Sequence, residues 1–270
     1  MRLLFIGDVI GRAGRNAISE HVPVLRNKLK LDFVVANGEN AAGGFGLTEH
    51  IAHDFLNAGV DCVTLGNHSF DQREALVFIE RAPHVLRPIN YPPGTPGKGA
   101  WLYETKAGAR VLVVSVLGRV FMDAMDDPFA ALERELSACP LGQAADAIIV
   151  DLHAEASSEK QALGNFVDGR VSLAVGTHTH VPTADWRILP HGTAFQSDAG
   201  MTGDYDSVIG MDKDEPIRRF IRKTPGSRFE PADGPATLCG LFVETGADGL
   251  AKRVEPVRVG GLLAQALPDV

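Results

Sequence analysis

Five short apolar runs in this chain each end in a carboxylate, an amide or an imidazole, and no other feature restricts its fold as much. Residues 3–6 lead into Gly7-Asp8, residues 33–36 into Asn37-Gly38-Glu39-Asn40, and residues 62–65 into Gly66-Asn67-His68. Residues 147–150 lead into Asp151-Leu152-His153, and residues 172–175 into Gly176-Thr177-His178-Thr179-His180. Apolar runs of this length read as buried strands. Between the first three lie amphipathic stretches. Residues 15–30 place Ile18, Val22, Leu25 and Leu29 on one helical face, and residues 49–57 form a helix with Thr48 as N-cap and Gly59 as its stop. A short helix over residues 73–81, ended by Pro83, completes a βαβαβα pattern, which implies a parallel sheet with helices on its faces. In such a sheet the carboxyl ends of the strands share one edge, and ligands bind there. The glycines at the run ends are expected to let the backbone turn sharply and aim the next side chain over the sheet.

The rest of the chain is less regular. Residues 88–99 are rich in Pro and Gly and read as a loop; residues 101–105 and 111–116 read as a hairpin around Ala107-Gly108-Ala109. Helices are expected over residues 128–138 and 158–166, and further strands over 186–189, 193–196, 237–245 and 251–257. Residues 203–234, rich in charge, Pro and Gly, read as a long surface excursion, either a lid or an oligomer contact. With no repeat and no linker, residues 1–270 read as one domain.

Composition removes several classes of function. An apolar fraction of 45% with 22% charged residues provides a sizeable core, but no stretch approaches the roughly 18–20 apolar residues that span a bilayer. Asp8 interrupts the apolar N-terminus too early for a leader, so residues 3–6 read as a first strand. Cys62, Cys139 and Cys239 are scattered and form no CxxC, which argues against a disulfide framework or cysteine zinc site and for the cytoplasm. A formal net charge of −8 argues against a long nucleic acid as partner. A small phosphorylated ligand remains compatible, because bound cations can reverse the local sign.

The residue types at the strand ends make the pattern chemical. Asp8, Glu39, Asn40, Asn67 and three or four imidazoles would converge on one place, and carboxylate, amide oxygen and imidazole together suit Fe, Mn or Zn. About seven ligands are too many for one tetrahedral ion and suit two ions sharing a carboxylate. The competing readings are ordinary: an Asn after a Glu can simply shape a turn, His153 can be a satisfied core histidine, and His178 with His180 can be two residues on one strand face. Gly7 to Gly14 vaguely resembles a dinucleotide-binding loop, but its spacing is not G-x-G-x-x-G and Asp8 would oppose a pyrophosphate. Asp71, Asp198, Asp204 and Asp206 read as turn and surface acids. His21, His50, His53, His84 and His191 read as surface or packing residues.

Taken in order, these residues resemble the calcineurin-like metallophosphoesterases, which carry Asp-x-His, Gly-Asp, Gly-Asn-His-Asp/Glu, a lone His and Gly-His-x-His. Here stand Asp8-Val9-Ile10, Gly38-Glu39-Asn40, Gly66-Asn67-His68-Ser69, His153 and Gly176-Thr177-His178-Thr179-His180. Three departures matter: Ile10 replaces a histidine, Glu39 replaces the bridging Asp and is followed by Asn40, and Thr177 separates Gly176 from His178. This combination, with Phe5 to Arg12 and Ser197 to Gly203, resembles the YmdB-like branch of cyclic-nucleotide phosphodiesterases. The resemblance implies an α/β sandwich of two packed mixed β-sheets flanked by helices. It implies one metal held by Asp8, Glu39, Asn40 and His180 and another by Glu39, Asn67, His153 and His178, with Fe or Mn expected and Zn as the alternative. His68 would be the catalytic residue and not a ligand. The expected reaction is attack of a metal-activated water on the phosphorus of a 2′,3′-cyclic, or secondarily a 3′,5′-cyclic, nucleotide. The alternatives are a phosphomonoesterase or phosphoprotein phosphatase, or a weakly catalytic nucleotide-binding regulator. Homo-oligomerisation stays open.

Overall fold

The computed structural model describes residues 1–224 and 226–269. Its first third alternates as expected: β1 (Arg2–Ile6), α1 (Gly11–Leu29), β2 (Phe33–Asn37), α2 (Glu49–Ala58), β3 (Cys62–Thr64), α3 (Ala75–Phe78, prolonged by a 3-10 turn to Arg81) and β4 (Val85–Leu86). Thr48 caps α2 by accepting from the Ile51 N–H, and Gly59 ends it in the left-handed conformation. The middle third holds β5 (Ala100–Glu104), β6 (Arg110–Leu117), α4 (Pro128–Ala138), β7 (Ala147–His153), α5 (Ser157–Phe166), β8 (Leu173–Thr177), β9 (Arg187–Ile188) and β10 (Ala194–Gln196). The last part adds β11 (Gly203–Asp204), α6 (Asp214–Arg222), β12 (Ala236–Thr245) and β13 (Ala251–Val259).

The strands make two mixed sheets. One runs β11-β12-β1-β2-β3-β4 with β13 beside β12; the other runs β5-β6-β7-β8-β10-β9. Strands β1 to β4 are parallel to one another and β12 closes against β1 in antiparallel register. Alternation along each strand separates the layers. Leu3, Phe5, Phe33 and Val35 of the first sheet pack with Val111, Val113, Ile149 and Leu173 of the second to form the core between the sheets. Leu4, Ile6, Val34 and Ala36 face outward onto Ile18, Val22, Leu25 and Phe55 of α1 and α2. On the far side, Ile148 and Val150 meet Leu132, Leu136 and Leu163 of α4 and α5. The expected sandwich of two packed mixed sheets flanked by helices is therefore the fold.

Four local readings change. Helix α1 begins at Gly11 rather than at residue 15, through glycines that a propensity argument reads as non-helical. They are small for a reason: a Cβ on Gly11 would meet the Pro231 ring and one on Gly14 the Thr202 carbonyl. Strand β7 continues through Asp151 and His153 instead of ending at residue 150. The stretch 203–234 is not merely irregular, since it contains β11 and α6. Finally, Gly66 and Gly176 do not adopt the left-handed backbone that a sharp turn would need. They allow close approach instead, because a Cβ would run into the His153 ring at Gly66 and the Ser197 carbonyl at Gly176.

Candidate metal centre

The ends of β1, β2, β3, β7 and β8 bring the expected residues to one edge shared by both sheets. Asp8, Glu39 and His153 are completely buried, and Asn40 and His180 nearly so. Three of them meet most tightly: ligand atoms of Glu39, His153 and His178 all lie within 4.8 Å of one another. His153 Nε2 stands 3.0 Å from Glu39 Oε1, 2.9 Å from Asn67 Oδ1 and 3.1 Å from His178 Nδ1. Asp8, Asn40 and His180 form a second group beside this one. His180 Nε2 is 3.8 Å from Asp8 Oδ1 and 3.2 Å from Asn40 Nδ2, while Asn40 Nδ2 lies 3.4 Å from Glu39 Oε1. Glu39 Oε1 thus faces both groups, and its Oε2 accepts from the His68 backbone N–H at 3.2 Å.

The chemistry of these atoms fits a cation. Asp8 Oδ1 is buried and has no hydrogen-bond partner, which is costly for a carboxylate oxygen unless a positive charge is supplied. Burial, only partly offset by His180 and His153, pushes the Asp8 carboxyl up to about 6. At the other group, burial works against the ion pair of Glu39 with His153, yet their mutual attraction prevails. Glu39 is held down to about 2 and His153 raised to about 9. His153 Nε2 lies within 3.1 Å of Glu39 Oε1, Asn67 Oδ1 and the His178 ring, so a proton there would be the positive charge at the centre of the group. A metal ion would replace that proton with a larger charge. His178 is pushed down to about 3 by burial and by the neighbouring His153 charge, so its ring is neutral and offers a lone pair.

A surrounding network fixes the orientation of these groups. The Thr177 hydroxyl donates to Asp151 Oδ1 at 2.6 Å, so it accepts from His153 Nδ1 at 2.8 Å, and His153 keeps Nε2 for the cluster. Asp151 Oδ2 also accepts from Thr64 and from the Asn37 amide, tying β2, β3, β7 and β8 together. His180 Nδ1 donates to the Ile209 carbonyl, which likewise turns its Nε2 inward. His178 Nε2 meets Glu155 at 3.1 Å. The two histidines do not lie on a strand face. They follow β8 with φ of 93° and 67°, a strained backbone for side-chain-bearing residues. Asn40 presents its Nδ2 to the cluster, so ligation through its oxygen requires the amide to turn about χ2.

His68 stands apart from the tight group and lines the cavity above it. Its Nδ1 meets Asp71 Oδ2 at 2.8 Å and its ring packs edge-to-face on Phe45 with centroids 5.1 Å apart. Asp71 is therefore a partner of His68 and not a simple turn acid, a role that its position three residues on could have signalled. Asp198 and Asp204 are also not surface acids. Asp198 is buried against Lys160 at 2.7 Å, and Asp204 accepts from the Gly234 N–H where the excursion returns. Asp206 is exposed and pairs with Lys213, as a surface acid should. The missed Asp151 did carry a signal, since it lies two residues before His153 on the same strand face. Lys160 and Asp198, far apart in sequence, carried none.

Among α/β folds, strand ends of two sheets converging on one cluster rich in carboxylate, amide and imidazole define the metallophosphoesterases, and this chain is one of them. Within that class it belongs to the YmdB-like family, whose model matches residues 4–257. A protein of Bacillus subtilis described as a 2′,3′-cyclic-nucleotide 2′-phosphodiesterase is 48% identical over 244 residues, covering 90% of this chain and 91% of the relative. The crystal structure of a hypothetical protein from Thermus thermophilus superposes with a TM-score of 0.90 at 44% identity, covering 97% of this chain and 100% of that one. That of a novel phosphatase from Mycoplasma pneumoniae gives 0.88 at 34%, covering 96% and 93%. Among the described residues no helix is long and apolar enough to cross a membrane.

Proposed function

We propose that the chain is a dinuclear phosphodiesterase acting on small cyclic nucleotides, 2′,3′-cyclic esters first and 3′,5′-cyclic esters second. The observation that carries the reading is the position of Glu39, whose Oε1 faces His153 on one side and Asn40 on the other while Asp8 Oδ1 stays unpartnered. Asp8, Glu39, Asn40 and His180 would hold one cation, and Glu39, Asn67, His153 and His178 the other. Carboxylate, amide and imidazole without thiolate favour Fe or Mn, with Zn as the alternative. When bound, such a pair would supply a water of lowered pKa and charge to offset that on the phosphoryl group. The chain itself contributes His68. With Nδ1 engaged by Asp71, its Nε2 is the nitrogen able to donate a proton to the leaving ribose oxygen. The name of the Bacillus subtilis relative supports the choice of ester. The free cysteines Cys62, Cys139 and Cys239 support a reducing compartment such as the cytoplasm.

The test is a panel of 2′,3′-cyclic, 3′,5′-cyclic and linear esters assayed with Mn and with Fe. Turnover of the cyclic diesters is expected. Activity confined to monoesters would overturn the diesterase reading.

A further inference from the structure

The cavity over the centre has two unlike halves. Its floor is polar, with Glu39, Asn40, His68, His178 and His180; its wall is apolar, with Phe45 from the β2–α2 connection and Ile209, Met211, Phe220 and Phe229 from the excursion. At about 650 Å³ it is of small-molecule size and exceeds what a phosphoryl group fills. The wall is a built structure. Glu215 of α6, held down to about 2 by Arg218 and Arg219, accepts from both guanidinium groups and from the Gly226 N–H. Arg219 in turn lies over the Phe229 ring at 3.9 Å, joining the helix to the irregular segment that returns from it. Phe220 is left 72% exposed on this helix, lining the cavity instead of entering the core. Lys223, the C-cap of α6, puts its ammonium group 5.5 Å from the same ring.

Resting on the cyclic-nucleotide reading above, we propose that this wall is a nucleobase subsite: with the phosphate on the polar floor, the base stacks on Phe220 under the cap formed by α6. Aromatic faces attract a flat π system whichever base it is, so the subsite would be tolerant of base identity. The base is far from phosphorus, so its contacts hold substrate and transition state alike. They lower KM and leave kcat nearly untouched.

The experiment compares adenosine 2′,3′-cyclic phosphate with 1-O-methylribose 2′,3′-cyclic phosphate, which has the same reacting ring and no base. Wild type should favour the nucleotide in kcat/KM by roughly 5- to 150-fold, the range expected for one base–aromatic stack. In F220A that ratio should collapse towards one through KM, and F220W should restore it. Because Phe220 is largely exposed, the substitution is not expected to disturb folding. Calorimetric binding of adenosine 3′-monophosphate supplies a reading independent of turnover, with F220A expected to bind roughly ten-fold more weakly. A wild type that does not distinguish the two cyclic esters, or an F220A with unchanged ratio and unchanged affinity, would overturn the subsite. Failure to hydrolyse either cyclic ester, with the monophosphate still bound in a Phe220-dependent way, would overturn the proposed reaction and leave the subsite standing.

Discussion

Lys160 offers the sharpest test of how the centre is supported. Its side chain is 2% exposed and its ammonium group pairs at 2.7 Å with Asp198, whose side chain is 1% exposed. The same Asp198 Oδ2 accepts from both the N–H and the hydroxyl of Thr179, and Oδ1 accepts from the Gly200 N–H. The pair therefore sits directly beneath the His178-Thr179-His180 turn. That turn holds two non-glycine residues at positive φ, each costing on the order of 1–3 kcal/mol, so something must hold it in place. In K160M the side-chain volume is nearly kept but a buried carboxylate loses its counter-charge, a loss worth about 3–5 kcal/mol. That is a large part of an ordinary domain's stability. At roughly 2–4 °C per kcal/mol for a chain of this size, the melting temperature should fall by roughly 6–20 °C. The double variant K160M/D198N removes the stranded charge and should recover about half of the loss, a non-additivity that chemical denaturation can measure. Metal content should fall with K160M, because His178 and His180 ride on the released turn. A K160M protein within about 1 kcal/mol of wild type, or a double variant no better than the single, would refute the reasoning.

Three further outcomes follow from the geometry. H68A should lower turnover by roughly 10²- to 10⁴-fold while bound metal stays at the wild-type level, checked by elemental analysis beside the assay; loss of metal would make His68 a ligand. T177V keeps the shape but removes the hydroxyl between Asp151 and His153, and should weaken metal affinity roughly 10- to 100-fold in a competitive chelator titration. Glu215 is held from an ordinary 4.5 to about 2 in the folded chain, so its contribution to holding α6 is present above pH 4.5 and is lost as pH falls through about 2. Hydrogen exchange in α6 should accordingly rise at the acidic end, and E215Q should show the same loosening at pH 7. Equal protection of α6 in E215Q and wild type would count against this anchor.

Much of the fold was legible because it is written in local patterns. The apolar runs of β1, β2, β3 and β8 stop where polar ligand types begin, and the helical faces of α1 and α2 repeat at the expected period. The convergence of Asp8, Glu39, Asn67, His153 and His178 followed from strand ends sharing an edge. What was not legible depends on tertiary partners. Asp151 extends β7 as a buried acid only because Thr64, Asn37 and Thr177 satisfy it from three other strands. Lys160 looks like a solvent-facing helix residue until Asp198, 38 positions away, is placed against it. Helix α6 was hidden because Asp-Glu-Pro-Ile-Arg-Arg-Phe-Ile-Arg has no core-facing stripe. Ile217, Phe220 and Ile221 are all exposed, and beyond the local pairs of Glu215 with Arg218 and Arg219 the helix is held by the Gly226 N–H on Glu215 and by Phe229 under Arg219.

The central claim is that two cations share Glu39, and metal stoichiometry in wild type, D8N and E39A tests it most directly. Elemental analysis of protein loaded with Mn or Fe should give about two ions per chain in wild type, about one in D8N and close to none in E39A. One ion per chain in wild type, or an E39A protein that keeps its full complement, would contradict a shared carboxylate.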